Sequence, residues 1–201
     1  MLNDNILIDC GVSYKSIQPF IKSLKLVLLT HIHGDHFNHA TIRRLAAERP
    51  TLRFGSGVWL TPQLVEAGVR KDRIDILSAG TEYNYGICKV IPVKLQHNVP
   101  NMGYKVHLPH GKIIYATDTV TLAGIEAKHY DLYLVEANYE DADIRERMRE
   151  KEATGEYAYE RDAMVNHLSK ARCDAWIYQN IGRNGEYIYM HQHREQERSE
   201  T

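Results

Sequence analysis

Eleven histidines occur in the 201 residues, and three of them stand in the heptapeptide Thr30-His31-Ile32-His33-Gly34-Asp35-His36. Imidazole nitrogens and a carboxylate at this density are metal-ligand chemistry: they suit Zn²⁺, with Mn²⁺ or Fe as alternatives. Without a cation, four such groups on one short loop would repel one another or leave polar atoms unpaired. On a tight turn after a buried strand, His31 and His33 can face one way and Asp35 and His36 the other. One loop would then serve two adjacent ions.

The elements around the loop fit that use. Lys25 to Thr30 is a nearly continuous apolar run, as expected of a strand buried on both faces, and it ends directly in the histidines. Asn38 to Glu48 has Ile42, Leu45 and Ala46 at helical spacing, with Pro50 as a stop. Thr61-Pro62 predicts a short helix with the threonine as its cap and Gly68 closing it. Strands are predicted at Asn5 to Asp9, Ile74 to Leu77, Ile87 to Leu95, Tyr104 to Leu108, Lys112 to Thr117, Leu132 to Val135 and Tyr187 to Met190. Helices are predicted over Asp141 to Lys151 and Ser169 to Gln179, and the polar tail 194–201 reads as frayed. With no repeat, linker or low-complexity block, the expectation is one layered α/β domain over 1–201, its polar clusters placed where apolar runs stop.

These motifs together resemble the metallo-β-lactamase fold superfamily, from Asp9 to about His193. The resemblance implies a four-layer αββα sandwich. It matches Asp9 in Leu7-Ile8-Asp9-Cys10-Gly11 to an aspartate that supports the histidine loop through hydrogen bonds. It matches His97 in Gln96-His97-Asn98 to a ligand that completes a first metal site with His31 and His33. Asp118 in Thr117-Asp118-Thr119 matches a carboxylate that bridges two metals. The C-terminal half is similar to the ribonuclease Z-like branch of phosphodiesterases, through Leu134-Val135-Glu136-Ala137-Asn138, Asn166-His167-Leu168-Ser169 and Ile188-Tyr189-Met190-His191. On that likeness His191 completes a second metal site with Asp35, His36 and Asp118, and Glu136 holds His167 for acid catalysis. Two rival assignments stay open: His167 as the second-site ligand itself, and His193 in place of His191. His39, His107, His110 and His129 match no motif and read as surface or turn histidines.

The implied activity is that of a dinuclear-metal phosphodiesterase cutting a small or terminal phosphodiester, such as a cyclic nucleotide or a nucleic-acid end, with metal-activated hydroxide as nucleophile. Asp35, Glu136 and His167 are the candidate catalytic residues. His31, His33, Asp35, His36, His97, Asp118 and His191 are the candidate ligands of two divalent ions. Hydrolysis of a thioester, lactone or β-lactam on the same scaffold is the first alternative, since it does not require the Glu136 and His167 pair. A non-catalytic metal- or nucleotide-binding protein is the second.

Composition narrows the partners. Lys plus Arg number 25 against 26 Asp plus Glu, a formal net charge of −1, which argues against a broad grip on a long nucleic acid. Only 17 residues separate Asp118 from Glu136, with no Gly/Pro-rich arm of the kind ribonuclease Z uses to grip transfer RNA. No apolar stretch approaches a membrane span, and no signal-peptide pattern opens the chain. Cys10, Cys88 and Cys173 are scattered and odd in number, as for reduced core thiols of a cytoplasmic protein. The expected partners are a phosphodiester substrate and, at most, a second copy of the chain. Asp9 lies early for the resembled fold, which usually has one or more strands before it. Leu2 followed by Asn3-Asp4-Asn5 reads as the end of such a strand, so an abbreviated start with an exposed or partner-covered sheet edge is predicted.

Overall fold

In a computed structural model, describing residues 2, 5–157 and 160–192, the chain divides into two compact units, 1–81 with 99–102 and 82–98 with 103–201. The chain crosses between units inside strands and short loops, so no linker composition marks the division.

The first unit is a parallel sheet with its crossovers. Strands β1 (Ile6–Ile8), β2 (Leu26–Leu29), β3 (Arg53–Ser56) and β4 (Ile74–Ile76) lie side by side in chain order, every pairing parallel. Helices α1 (Tyr14–Ile17), α2 (His39–Glu48) and α3 (Thr61–Glu66) make the connections that parallel strands demand. All four residues of β2 are buried, which is why its sequence shows no polar alternation. Leu7, Val27, Leu29, Ile42, Leu45 and Phe54 belong to one apolar cluster. Each fully buried leucine there contributes on the order of 1.5–3 kcal/mol. Asn38 caps α2, its Oδ1 accepting from Thr41 N–H at 3.0 Å, and so sets the helix start just past the histidines.

One expectation changes in this unit. Thr61 is not a cap: a 3₁₀ turn over Val58–Leu60 runs into α3, Leu60 takes the N-cap position, and no side chain caps the helix. The preceding turn already orders the backbone there, while Gly68 closes the helix at φ +86° as its lack of a side chain allows. At the sheet edge, Leu2 and Ile6 exchange backbone hydrogen bonds of 2.8 and 3.1 Å. Ile6 is thus paired on both sides, whereas among the described residues Leu7 and Ile8 are paired to β2 alone.

The second unit holds a six-stranded mixed sheet in the order β10-β9-β8-β7-β6-β5. Its strands are β5 (Tyr83–Asn84), β6 (Lys89–Leu95), β7 (Asn101–Leu108), β8 (Gly111–Ala116), β9 (Leu132–Glu136) and β10 (Glu186–Met190). Between β9 and β10 come α4 (Asp141–Thr154), α5 (Glu160–Asn166) and α6 (Lys170–Asn180). β7 and β8 form a hairpin closed by Pro109 and His110 between the paired Leu108 and Gly111. β8, β9 and β10 run parallel, so their carboxyl ends share one edge, the edge where open α/β sheets build sites. Ile114, Tyr133, Val135, Leu168, Cys173 and Ile177 form the core beneath. Tyr133 locks it: its hydroxyl donates to Ala127 O at 2.7 Å and accepts from Tyr130 N–H at 3.0 Å.

Candidate metal centre

In the first unit, ligand types gather at the carboxyl ends of β1 and β2. Asp9 follows β1 in the left-handed region at φ +58°, an unusual conformation that turns its carboxylate toward the neighbouring strand end. Its Oδ1 accepts from Thr30 N–H and from the Thr30 hydroxyl, both at 2.9 Å, and its Oδ2 lies 2.7 Å from His36 Nδ1. With its hydrogen committed to Asp9, Thr30 Oγ1 accepts from His31 Nδ1 at 2.9 Å. One buried carboxylate therefore fixes Nδ1 as the protonated nitrogen of both His31 and His36, and leaves Nε2 of each with its lone pair for a cation. His31 Nε2 stands 3.1 Å from His33 Nδ1, and His36 Nε2 stands 3.4 Å from Asp35 Oδ2. The loop is held against Gly11, where a Cβ would lie 1.7 Å from Asp35 O.

In the second unit, Asp118 follows β8, Glu136 ends β9 and His191 follows β10, all on the shared strand edge. Asp118 and His191 are left-handed at φ +56° and +51°. Among the described non-glycine residues only Asp9 and His129 share that conformation. His167 lies between α5 and α6, placed beside Glu136 because the loop after β9 pairs with the start of α6: Asn138 N–H donates to Leu168 O at 2.9 Å, and Lys170 N–H to Tyr139 O at 2.8 Å. Asp118, Glu136, His167 and His191 offer ligand atoms that all lie within 4.8 Å of one another. His97 Nε2 is 3.9 Å from Asp118 Oδ1, and its Nδ1 donates to Asn166 O at 3.1 Å.

Glu136 is fully buried and serves several groups at once. Its Oε1 accepts from His167 Nδ1 at 2.6 Å and lies 3.3 Å from His191 Nδ1, and its Oε2 accepts from Thr119 N–H at 2.7 Å. Thr119 in turn ties the neighbouring loop, its Oγ1 accepting from Gln96 N–H at 3.1 Å. Asn138 Nδ2 donates to His191 O at 2.9 Å. Thr30, Thr119 and Asn138 are supports that motif reasoning passes over. A hydroxyl or amide directly beside a ligand or an acid is the one local signal they give.

The donor sets fit divalent ions. Ligand atoms held at about 2.0–2.1 Å around a tetrahedral ion stand roughly 3.4 Å apart. The His31–His33, Asp35–His36 and Asp118–His191 pairs, at 3.1, 3.4 and 3.5 Å, are spaced that way. Asp118 and Glu136, both buried among imidazoles, also supply the negative charge a cation would balance. His193 and the tail 194–201 lie outside the described residues. His107 is not a turn residue but sits in β7, its Nε2 2.7 Å from the Tyr130 hydroxyl.

The model of the beta-lactamase superfamily domain matches residues 4–191. The chain belongs to the beta-lactamase superfamily. Among curated proteins none matches this superfamily member by sequence. Its structure is similar to that of the metallo-beta-lactamase fold protein YhfI from Bacillus subtilis, with TM-score 0.70 and 17% identity over 96% of this chain and 76% of that one. The short form of human tRNase Z superposes with TM-score 0.63 at 16% identity, covering 96% of this chain and 83% of that chain. A diphosphatase of the PhnP family gives TM-score 0.62 at 13% identity, covering 96% and 70% respectively. The superfamily member thus has the metallo-beta-lactamase fold, a mixed α/β architecture with two sheets and flanking helices. None of its described helices is long and apolar enough to cross a membrane.

Proposed function

We propose that this protein is a metal-dependent hydrolase, and specifically a phosphodiesterase of the ribonuclease Z-like branch acting on a small or terminal phosphodiester. We assign His31, His33, Asp35, His36, His97, Asp118 and His191 as ligands of two divalent ions, with Zn²⁺ the first choice, and Asp35, Glu136 and His167 as the catalytic residues. When bound, such ions supply Lewis acidity: they make water nucleophilic near neutral pH and offset charge on phosphoryl oxygens.

The contact between Glu136 Oε1 and His167 Nδ1 at 2.6 Å carries the reading. A buried carboxylate that accepts Nδ1–H presents Nε2 as the atom that holds and releases a proton. An alkoxide leaving from phosphorus needs that proton, whereas hydrolysis of an activated thioester or a β-lactam does not depend on this pair. The names of two structural relatives, a tRNase and a diphosphatase, belong to enzymes that break bonds to phosphorus, in keeping with the same choice. The near-neutral charge favours a short substrate over a long nucleic acid. Three buried free thiols suit a reducing, cytoplasmic setting.

The test is turnover by the purified protein of a chromogenic phosphodiester, a β-lactam and a thioester, with Asp118→Ala as control. The phosphodiester is expected to be cleaved fastest, and only by the protein that retains Asp118. Faster cleavage of the β-lactam or the thioester would overturn the assignment.

A further inference from the structure

A cavity of about 230 Å³ opens between the loop after β9, the first turns of α4 and the start of α6, bounded by Asn138, Tyr139, Glu140, Asp143, Arg147 and Lys170. It adjoins His191: the wall residue Asn138 donates through Nδ2 to the His191 carbonyl at 2.9 Å, and Gln192 completes the rim. Pockets that enclose a whole ligand usually measure about 300–1,000 Å³, so this one is sized for a single part of a substrate.

Its charges cancel. Glu140 and Asp143 face Arg147 and Lys170 in the same lining, Lys170 Nζ lies 3.3 Å from Glu140 and 3.4 Å from Asp174, and Arg147 Nε stands 3.9 Å from Glu160. A phosphate therefore gains little by entering. The lining instead includes residues that carry planar donors and acceptors: Arg147 with its guanidinium, Gln192 with its amide and Asp143 with its carboxylate. These side-chain types pair with nucleobase edges, amides with adenine, guanidinium with guanine, carboxylate with the amino group of cytosine.

We infer that this cavity receives the nucleobase of the substrate, next to the ligand set that holds its phosphodiester. The placement rests on the phosphodiesterase reading, but base binding itself requires no turnover. Saturation-transfer NMR on the purified protein with adenosine, uridine and ribose tests it directly. The nucleosides are expected to bind and ribose to bind weakly or not at all. Asp143→Leu fills the cavity from an exposed position near the start of α4 and is expected to weaken nucleoside binding about tenfold or more. Arg147→Gln should act in the same direction, which guards against a folding defect in either variant. Ribose binding as well as the nucleosides, or both variants binding like the wild type, would overturn the proposal. A protein that cleaves a p-nitrophenyl phosphodiester yet binds no nucleoside loses the pocket and keeps the hydrolytic reading. One that binds nucleosides in this cavity and cleaves no phosphodiester keeps the pocket and loses the reading.

Discussion

Asp9 Oδ2 lies 2.7 Å from His36 Nδ1, and the same carboxylate reaches His31 through the Thr30 hydroxyl. Two imidazoles of one loop are therefore held in one tautomer by a residue that needs no contact with the metal. Its replacement should separate metal affinity from folding in a way that loss of a ligand would not.

Asp9→Asn is nearly isosteric, yet its amide nitrogen would face His36 Nδ1 as a donor and shift the proton of that ring to Nε2. Zn²⁺ affinity is expected to fall about 10–100-fold, as for other residues that orient ligands. Competition with a chromophoric chelator would measure it. Asp9→Asn binding Zn²⁺ as tightly as the wild type would show that the carboxylate does not set the tautomer.

The pairing of Glu136 with His167 predicts a loss that depends on the leaving group. His167→Ala should slow cleavage of an unactivated alkyl phosphodiester by about 10²–10⁴-fold. On a p-nitrophenyl ester, whose leaving group needs no proton, the loss should be much smaller. Glu136→Gln should follow the same pattern, and His33→Ala should abolish both activities. Equal losses on the two esters with His167→Ala would remove the acid role.

Much of this arrangement was legible from the chain alone, because it depends on local pattern. The apolar run before His31 forecast β2, the stretch from Ser169 to Gln179 forecast α6, and the resemblance to the superfamily singled out Asp118, Glu136 and His191, which stand at strand ends. β3 was not legible: Arg-Phe-Gly-Ser has a glycine in its interior and becomes a strand only because β2 and β4 pair on its two sides. The supports were hidden for a related reason. Asn138 acts on a residue 53 positions away and Thr119 on one 17 away, separations that no local period encodes.

Gly11 illustrates a constraint that comes from backbone approach alone. A Cβ there would lie 1.7 Å from Asp35 O and 2.7 Å from His36 N, so the histidine loop must move to admit it. Gly11→Ala is expected to cost about 1–3 kcal/mol of stability, the range for overpacked sites, and to weaken metal binding. Urea unfolding of wild type and variant measures the first effect, and an unchanged midpoint would show that the loop yields freely.

Thr119 predicts a stability effect with a specific rescue. Its hydroxyl accepts from Gln96 N–H at 3.1 Å and donates to Thr121 O at 2.9 Å, and the side chain is wholly buried. Thr119→Val keeps the shape but leaves both backbone groups without that partner, at about 1–3 kcal/mol. Thr119→Ser should recover most of the loss, since it keeps the oxygen and forfeits one methyl. If valine proved as stable as threonine and serine less so, packing rather than hydrogen bonding would be what Thr119 contributes.

The cysteines give the pH dependence. Burial pushes the Cys88 thiol up to about 11 and the Cys173 thiol up to about 12, the latter helped by Asp174 and Glu136. Both folded-state values lie above the ordinary thiol value of 9.0, so folding favours the protonated thiols. The stability this contributes is complete below pH 9 and is lost as pH rises toward 11 and 12. Two measurements follow. At pH 8 the native protein should react with a thiol reagent far more slowly than the urea-unfolded protein. Urea midpoints taken from pH 8 to pH 11 should fall beyond pH 9, and Cys173→Ala, which removes one of these groups, should lower the midpoint at pH 8 while flattening its alkaline decline. An alkaline decline of the same steepness in Cys173→Ala would assign that pH dependence to other groups.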